Sequence, residues 1–390
     1  MRSIKQIGFL ISLSAMVAAC SSTATNEAGS GPTKSISSPS ATPISSPEPA
    51  PRTVSIVSSG DILLHERLWA QAKADGVDGN WDFYPQLADL EPVISSADLA
   101  LCHLETPLAE LGKDYEGYPT FNAPPQITEA IKKLGFDMCG TASNHSLDQG
   151  FSGLQRTVEI LEAAGIPLTG TAVSQEAADK PLVLDVETEN GVVKVGILSY
   201  TYGFNGFERD SDKPWSANLI DPEAIIAEAK QARSLGAELV IAKMHWGSEY
   251  TNMPNGFQTS VAQELAESGL IDLIDGSHSH SVQPVTQIGN TWIAYSHGNF
   301  VAAQREPTTI KSEGLVTRWV FAEEANGKFS LSCFDAVPTL IRDDRPVRVI
   351  DVNKALATGE YLGETKERLE LAKSRTDKTV RSLAFTKFCK

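Results

Sequence analysis

The chain is poor in positive charge for its length. Its 390 residues carry 33 Lys and Arg against 49 Asp and Glu, which gives a formal net charge of -16 at pH 7. Non-specific binding to nucleic acid needs a basic surface, so we expect no nucleic-acid partner. An acidic surface repels polyanions at long range, although a bound cation can still attract an anion locally.

Long apolar runs are also lacking, apart from a short one at the amino terminus. Ile7 to Val17 is apolar but too short to span a membrane comfortably, and the basic residues Arg2 and Lys5 precede it. The run ends in Val-Ala-Ala-Cys at Cys20, which resembles a bacterial lipobox. The alternative is an ordinary secretory signal with a coincidental cysteine. We predict a lipoprotein signal peptide over residues 1–19 and an extracytoplasmic protein anchored to the cell membrane through lipidated Cys20.

The stretch that follows has almost nothing to bury. Residues 20–52 are mostly Ser, Thr, Pro and Ala. Such a composition cannot offset the entropy lost on folding, so this segment is predicted to be a disordered tether. It would hold the folded part of the protein away from the membrane surface.

Cysteine is scarce as well, with five in the chain. The four beyond Cys20 are Cys102, Cys139, Cys333 and Cys389, and their spacing matches no zinc-ribbon pattern. Three pairings are possible, and the sequence alone does not choose among them. We interpret Cys102 and Cys139 as buried thiols, and Cys333–Cys389 is a candidate bridge.

From Thr53 onward, apolar β-branched runs alternate with amphipathic segments. This alternation predicts an α/β fold with much parallel or mixed sheet, and we see no internal repeat. Glycines follow several of the amphipathic segments, as expected at helix ends. The predicted strands are Val54–Ser58, Leu99–Cys102, Phe136–Gly140, Val193–Tyr200, Leu239–Met244, Ile271–Asp275 and Thr291–Tyr295. The predicted helices are Asp82–Ser95, Pro125–Leu134, Gly153–Ala164, Asp221–Leu235 and Gln258–Ser268.

The seven histidines do not scatter over this pattern. Each lies just past the carboxyl end of a predicted strand, where ligands bind in α/β sheets. Two of them, in Asp-Gly-Ser-His-Ser-His at residues 275–280, are one residue apart on a loop and can turn toward one point. The alternative for any one of them is a polar surface loop. The full set is His65, His103, His145, His245, His278, His280 and His297.

Histidine, aspartate, glutamate and asparagine without clustered cysteine are typical ligands of a hard-to-borderline divalent ion. Manganese, iron, zinc and cobalt are the candidates. Several histidines with a shared carboxylate suit two ions, which can clamp both oxygens of a displacement at phosphorus.

The segments around these histidines resemble the CapA family of poly-γ-glutamate capsule synthesis proteins. The similarity runs in order from about Val54 to Phe300. It implies a calcineurin-like metallophosphoesterase fold, in which two mixed sheets stack face to face between helices. We therefore expect one such domain over residues 53–306, with residues 307–390 completing it as further strands and a helix. The matching segments are SGDILLHER, LCHLETPL, FNAPP, LGFDMCGTASNHSLDQGFSGLQRTVEILEAAGIPLTG, VGILSYTYGFNG, MHWGSEY, DGSHSHSVQPV and YSHGNF.

The resemblance also implies roles for single residues. Glu105 takes the place of the carboxylate that bridges two metals, and His145 that of the residue that protonates the leaving group or orients the phosphate. Asp148 would hold His145 in place. The implied metal ligands are Asp61, His65, Glu105, Asn144, His245, His278 and His280, and the implied catalytic residues are His145 and Asp148.

Three positions depart from the family pattern. His103 and His297 stand where Asn and Leu are more common, and Ser143 stands where a second Asn is common. The two extra histidines either enlarge the site or are satisfied in the protein interior. Tyr202 and Asn205, on a Gly-rich loop, either line a substrate cleft or belong to the surface.

Three functions remain open at this point, of which the third is a lipid-anchored, metal-dependent binding protein unrelated to the capsule. In the first, two metal ions activate water that attacks a phosphate ester or a γ-glutamyl amide, with His145 as general acid. In the second, the protein is a non-catalytic metal-binding scaffold that assists a membrane poly-γ-glutamate synthase in handling an anionic polymer. Fold alone does not choose between them.

Overall fold

The computed structural model describes residues 50–304, 310–342 and 344–389. The predicted signal peptide, the lipidated Cys20 and the tether up to residue 49 lie outside the described residues, as does the predicted boundary between residues 306 and 307. In the described part of the chain, no helix is both long and apolar enough to span a bilayer.

The described residues form two mixed sheets. The first has eight strands in the order β14-β13-β12-β1-β2-β3-β4, with β11 pairing in parallel with the end of β1, and the second has six in the order β5-β6-β7-β8-β10-β9. The strands are β1 (Thr53–Ile62), β2 (Leu99–Leu104), β3 (Met138–Gly140), β4 (Leu168–Thr169), β5 (Leu182–Thr188), β6 (Gly191–Thr201), β7 (Leu239–His245), β8 (Leu273–Ser277), β9 (Val285–Ile288), β10 (Thr291–Ala294), β11 (Asn299–Val301), β12 (Glu313–Glu323), β13 (Phe329–Arg342) and β14 (Arg348–Asp351).

Helices cover the outer faces of both sheets. They are α1 (Glu66–Asp75), α2 (Tyr84–Leu87), α3 (Glu91–Ile94), α4 (Ile127–Leu134), α5 (Gly150–Ala163), α6 (Gln175–Ala178), α7 (Pro222–Ser234), α8 (Gly256–Glu267), α9 (Val352–Thr358) and α10 (Lys366–Val380). One apolar cluster, with Ile56, Leu101 and Ile241, lies between the sheets, and two others pack the outer faces against helices. The predicted α/β architecture of two stacked mixed sheets flanked by helices is confirmed.

Strand alternation explains these layers. Successive side chains of a strand point to opposite faces. On β7, Leu239 and Ile241 belong to the cluster between the sheets, whereas Val240 and Ala242 belong to the cluster under the helices. Both faces of β7 are therefore apolar, as expected for a strand buried on both sides.

Local signals set several helix ends. Helix α8 starts with a capping box, in which Asn255 accepts from the backbone of Gln258 and the Gln258 side chain accepts from the backbone of Asn255. Helix α4 ends at Gly135, whose φ of 93° is in the left-handed region. The single helix predicted over Asp82–Ser95 is wrong: a 3-10 turn at Ala88–Leu90 separates α2 from α3, each of which has a proline in its first turn. A proline cannot donate the hydrogen bond that a continuous helix needs.

The interpretation of Cys102 and Cys139 as free buried thiols is also wrong. The structure joins them as a disulfide, with the Cα atoms 4.5 Å apart. The two cysteines face each other in register on the parallel neighbours β2 and β3, a relation that sequence spacing does not reveal. Cys333 and Cys389 form a second disulfide, which confirms the candidate bridge.

Candidate metal centre

Four chain-distant segments bring acidic and imidazole groups to one end of the layer between the sheets. Asp61 lies near the end of β1, His103 on β2, His245 at the end of β7, and His278 follows β8. On each of these strands the inward-facing side chains are apolar at the start and polar near the carboxyl end. The carboxyl ends of the parallel strands point the same way, so these polar residues meet.

A close backbone approach places Asp61. Gly60 lies against the backbone of Gly298, and a Cβ atom on Gly60 would be 1.9 Å from the Gly298 carbonyl oxygen. The pairing of β1 with β2 shifts register between Ser58 and Asp61. The Asp61 N–H then donates to the same Gly298 carbonyl at 3.0 Å. Only glycine at position 60 allows this irregularity, which turns the Asp61 carboxylate toward the histidines.

Glu105 is the central acidic group. It is 1% exposed, and neither of its carboxylate oxygens has a hydrogen-bond partner. Its Oε1 lies 3.8 Å from Nε2 of His245 and 3.9 Å from Nε2 of His280. Burial raises the pKa of Glu105 well above its ordinary value. A buried carboxylate without partners is costly, and such groups are commonly paired or bound to a metal ion.

Two groups of potential ligands share this carboxylate. Asp61, Glu105 and His280 form one, and Glu105, His245 and His278 form the other, with the ligand atoms of each group within 4.8 Å of one another. Asn144 adds its side-chain oxygen to the second group, because Oδ1 lies 2.7 Å from Nε2 of His245.

The protonation states of the rings suit metal binding, which requires neutral imidazole. Burial lowers the pKa of His278 to about 3 and holds the pKa of His245 well below its ordinary value. His280 differs: burial alone would lower its pKa, but the carboxylates of Glu105 and Asp61 outweigh burial and raise the pKa to about 9. At this ring a proton therefore competes with a metal ion, and metal binding to His280 would release that proton.

The backbone of the His-x-His segment is unusual. His278 and His280 have φ values of 87° and 50°, which few residues other than glycine adopt. The His278 N–H points at the Asp61 carboxylate, with its nitrogen 3.2 and 3.3 Å from the two oxygens. Side chains one residue apart thus converge on one site, although on a regular strand they would point apart. Such backbone strain is typical of functional sites.

A histidine–aspartate pair stands beside these groups. His145 Nδ1 lies 2.7 Å from Asp148 Oδ2, which also accepts the Phe121 N–H at 2.7 Å. Ser143 organises the loop: its hydroxyl donates to the Glu105 carbonyl at 2.6 Å and accepts the His145 N–H at 3.1 Å. Asp148 therefore fixes the imidazole orientation and leaves Nε2 as the nitrogen available for proton transfer.

A family model described as bacterial capsule synthesis protein PGA_cap matches residues 55–304. The chain belongs to this family. The predicted CapA resemblance is thereby confirmed, and the matched range contains all the potential ligands described above.

Two curated relatives of this PGA_cap protein are named for capsule synthesis. The PGA biosynthesis protein CapA of Bacillus subtilis is 25% identical over 73% of this chain and 73% of its own length. The capsule biosynthesis protein CapA of Bacillus anthracis is 29% identical over 66% of this chain. The chain spans 61% of the length of the Bacillus anthracis protein.

Two solved structures with some likeness are named as a phosphoesterase and a nucleotidase. The calcineurin-like phosphoesterase YfkN of Bacillus subtilis is 16% identical, with a TM-score of 0.43 over 83% of this chain and 99% of that chain. The NAD nucleotidase NadN of Haemophilus influenzae is 13% identical, with a TM-score of 0.43 over 84% of this chain and 61% of that chain.

The donor set of this PGA_cap protein fits a divalent ion. Its carboxylate oxygens, imidazole nitrogens and amide oxygen are the ligands of manganese, iron or zinc. The unpartnered Nδ1 of His278 and the two unpartnered oxygens of Glu105 are buried atoms that an ion would satisfy. These clusters suggest divalent metal binding.

Two other histidines, His65 and His297, lie outside the ligand groups described above. His65 belongs to none of the ligand groups found among the described residues: it precedes α1, its ring contacts Phe121, and its Nδ1 accepts the Ala303 N–H at 3.3 Å. Its role as a ligand stays a prediction. His297 lies below the centre, with Nδ1 3.0 Å from the Gly276 carbonyl and Nε2 2.9 Å from Thr317 Oγ1.

His103 does reach the centre. Its Nε2 lies 2.9 Å from Nδ1 of His245 and 3.9 Å from Oδ1 of Asp61. Burial lowers its pKa to about 4, so the ring is neutral. His103 therefore holds the far nitrogen of His245, whose Nε2 faces Asn144 and Glu105.

Four residues around the centre were not predicted as site residues or were left open. Glu249 forms a further group with His278 and His280, and Asn299 Oδ1 lies 2.9 Å from His280 Nδ1. Both occur in the matching segments MHWGSEY and YSHGNF, which was the available signal. Tyr202 packs on His278 with ring centroids 4.5 Å apart, and Asn205 accepts from Asn144 Nδ2 at 3.1 Å. The structure thus places Tyr202 and Asn205 beside potential metal ligands.

Proposed function

We propose that this protein is a lipid-anchored, metal-dependent hydrolase of poly-γ-glutamate capsule synthesis, in which two divalent ions share Glu105. The observation that carries the proposal is the buried Glu105 carboxylate: both of its oxygens lack a hydrogen-bond partner, and the residue belongs to two ligand groups at once. Manganese, iron and zinc are the candidate ions. The anchor through Cys20 is proposed from the sequence alone.

Asp61, Glu105 and His280 would hold one ion, and Glu105, Asn144, His245 and His278 the other. Ions bound there would lower the pKa of a coordinated water and neutralise charge that develops on the substrate. The remaining steps belong to the protein. Tyr202 packs on the His278 ring and covers one side of the centre.

His145 would act as the general acid. Its Nδ1 is held by Asp148, so the proton for a leaving group would come from Nε2. Asp148 lies between His145 and the Phe121 backbone, with one oxygen accepting from both. This arrangement keeps the imidazole in one tautomer, as a positioned general acid requires.

The proposed substrate is anionic, either a phosphate ester or a γ-glutamyl amide of the capsule polymer. Proteins named for capsule and PGA biosynthesis are the matched relatives, which supports the polymer. A metal-activated water can attack either phosphorus or an acyl carbon. We also propose that the protein works beside a membrane poly-γ-glutamate synthase.

The second candidate is a non-catalytic, metal-binding scaffold of the same synthase. The depth of the centre favours it: Asp61, Glu105 and His245 are at most 1% exposed. An ion that is enclosed on every side would stabilise the protein without meeting a substrate.

One experiment separates the two. The purified protein is loaded with Mn²⁺, its metal content is measured, and turnover is followed on a chromogenic phosphodiester, a phosphomonoester and oligo-γ-glutamate. The hydrolase predicts turnover on at least one of them, with His145→Asn retaining metal but losing about 100-fold or more in rate. Full metal content with no turnover on any substrate would support the scaffold.

A further inference from the structure

Lys311 lies near the metal centre and, within the described ranges, has no acidic partner. Lys311 Nζ lies 4.0 Å from the centroid of the Tyr250 ring, and among the described residues Lys311 forms no ion pair. It is half-buried, although lysine is a strongly hydrated ion that usually stays in solvent. A cation held over an aromatic face in this way still has its ammonium donors available to a ligand.

The position of Lys311 is tied to a predicted metal ligand. The Asn299 side chain is fully buried and joins the two: its Oδ1 lies 2.9 Å from His280 Nδ1, and its Nδ2 donates to the Lys311 carbonyl at 2.9 Å. Tyr250 lies beside the same histidine, with ring centroids 5.9 Å apart and planes inclined by 31°. Asn299 therefore connects the backbone of Lys311 to the metal centre.

Tyr250 is also held in place rather than packed in the core. Its backbone is left-handed, with φ of 60°, and its N–H donates to the Ser279 carbonyl at 2.7 Å. The ring is 39% exposed, and its hydroxyl accepts from Gln304 Nε2 at 3.5 Å. Gln304 Oε1 is buried without a hydrogen-bond partner. Tyr250 and Gln304 thus combine a strained backbone with an unsatisfied polar atom, and both features are typical of a binding surface.

We propose that the Lys311 ammonium, held over the face of Tyr250, forms an anion subsite that binds a carboxylate of the substrate. This inference rests on the proposed function, which places the reacting bond at the metal centre. The protein carries a net charge of -16, and Glu249 lies on the same rim. An anionic polymer approaching this rim needs a local cation, and Lys311 supplies it. A γ-linked glutamate chain carries one free carboxylate per residue, so the residue next to the reacting bond always presents one.

The test measures equilibrium binding of penta-γ-glutamate to the Mn²⁺-loaded protein by calorimetry. We expect Lys311→Gln to weaken binding about 10-fold and Lys311→Arg to restore most of it. The matched control is Lys328→Gln, since Lys328 is an exposed lysine at the turn between β12 and β13. Its Kd should equal that of the wild type. The same pentamer with its carboxylates converted to amides should bind weakly and show no dependence on Lys311.

A second titration, with a phosphate ester, shows whether the subsite binds a carboxylate or a phosphate. Phenyl phosphate is titrated into the same variants. If Lys311→Gln weakens phenyl phosphate but leaves penta-γ-glutamate unchanged, the subsite binds phosphate and the carboxylate assignment is overturned. Equal affinity of Lys311→Gln and wild type for both ligands overturns the subsite itself.

Turnover keeps this proposal separate from the hydrolase. Binding that depends on Lys311, without hydrolysis of any substrate, leaves the subsite standing and removes the hydrolase. Hydrolysis whose KM does not change in Lys311→Gln leaves the hydrolase standing and removes the subsite. Near-ultraviolet circular dichroism and thermal unfolding of each variant show whether a loss of binding reflects the subsite or the fold.

Discussion

The two ends of the layer between the sheets are built from the same strands but have opposite chemistry. Near the amino ends of the parallel strands the inward side chains are apolar, as at Ile56, Leu101 and Ile241. Two to five residues further along the same strands they are Asp61, His103 and His245. One end therefore stabilises the fold by apolar burial, and the other places polar ligands where burial alone would be unfavourable.

A layer of buried polar side chains separates the apolar end from the metal centre. Lys243 and Asp275 form an ion pair that is 3% and 2% exposed, and Ser58 donates to the same Asp275 oxygen at 2.6 Å. His297 Nε2 lies 3.4 Å from the other Asp275 oxygen. These residues come from both sheets, so they connect the sheets directly below the metal centre. Stability and chemistry are therefore divided along each strand.

The largest effect is expected at the shared carboxylate. Glu105→Gln removes the charge common to both ligand groups, so metal content should fall and turnover should drop by roughly a thousand-fold or more. Inductively coupled plasma mass spectrometry and rate measurements check this. The free energy of unfolding in the presence of chelator should change little, because burial raises the pKa of Glu105 and favours a neutral side chain that glutamine resembles in charge and shape. A large loss of stability in chelator would contradict the division.

The ion pair between the two ends should be the next most sensitive. Asp275→Asn leaves the buried Lys243 ammonium without its counter-charge, so we expect a loss of about 3–5 kcal/mol in the free energy of unfolding. Urea denaturation measures it. The matched double variant Lys243→Met with Asp275→Leu removes both charges and should recover most of that stability. If the single variant is as stable as wild type, the pair does not connect the sheets as described.

The apolar end should respond in stability alone. Ile241→Ala removes buried methylene groups from the cluster between the sheets and should cost about 2–5 kcal/mol in unfolding free energy. Ile241 lies on the same face of β7 as His245, but it is four residues earlier and belongs to the apolar cluster rather than to the metal centre. Metal content should therefore stay unchanged. Denaturation and metal analysis on one preparation test both statements. A metal loss that parallels the stability loss would show that the two ends are not independent.

The smallest effect is expected at His103. His103→Asn introduces the residue that the CapA resemblance has at this position and should weaken metal affinity by about 10–100-fold, because His103 orients His245 without a role at the substrate. Competition with a chromogenic chelator measures this. His297→Asn is the matched control, since His297 is a buried histidine of the same layer whose ring bonds to Gly276 and Thr317. Equal metal affinity in the two variants would remove the positioning role of His103.

Much of this arrangement was predictable from sequence, for identifiable reasons. The β-branched runs gave the seven predicted strands within a few residues, and the position of each histidine after a strand indicated one edge of a sheet. The prediction of one helix over Asp82–Ser95 is wrong because Pro85 and Pro92 each lie in the first turn of a separate short helix. The apolar periodicity of the segment does not reveal this break. The pairing of Cys102 with Cys139 needed strand register, which the sequence does not contain.

The finer parts of the site depended on backbone geometry. The left-handed conformations of His278, His280 and Tyr250 aim their side chains, and no residue type in the sequence signals them. The placement of Lys311 depends on a buried amide, Asn299, that bonds to two segments at once. Sequence reasoning found the residue types of the centre but not these supporting contacts, because they join positions that are distant in the chain.

The shared carboxylate is tested most directly by anomalous diffraction from crystals of the Mn²⁺-loaded protein. If two ions share Glu105, two anomalous peaks about 3.5–4 Å apart are expected, one on each side of its carboxylate. One peak would be bounded by Asp61 and His280, and the other by His245 and His278. A single peak away from Glu105, or none at saturating Mn²⁺, would contradict it.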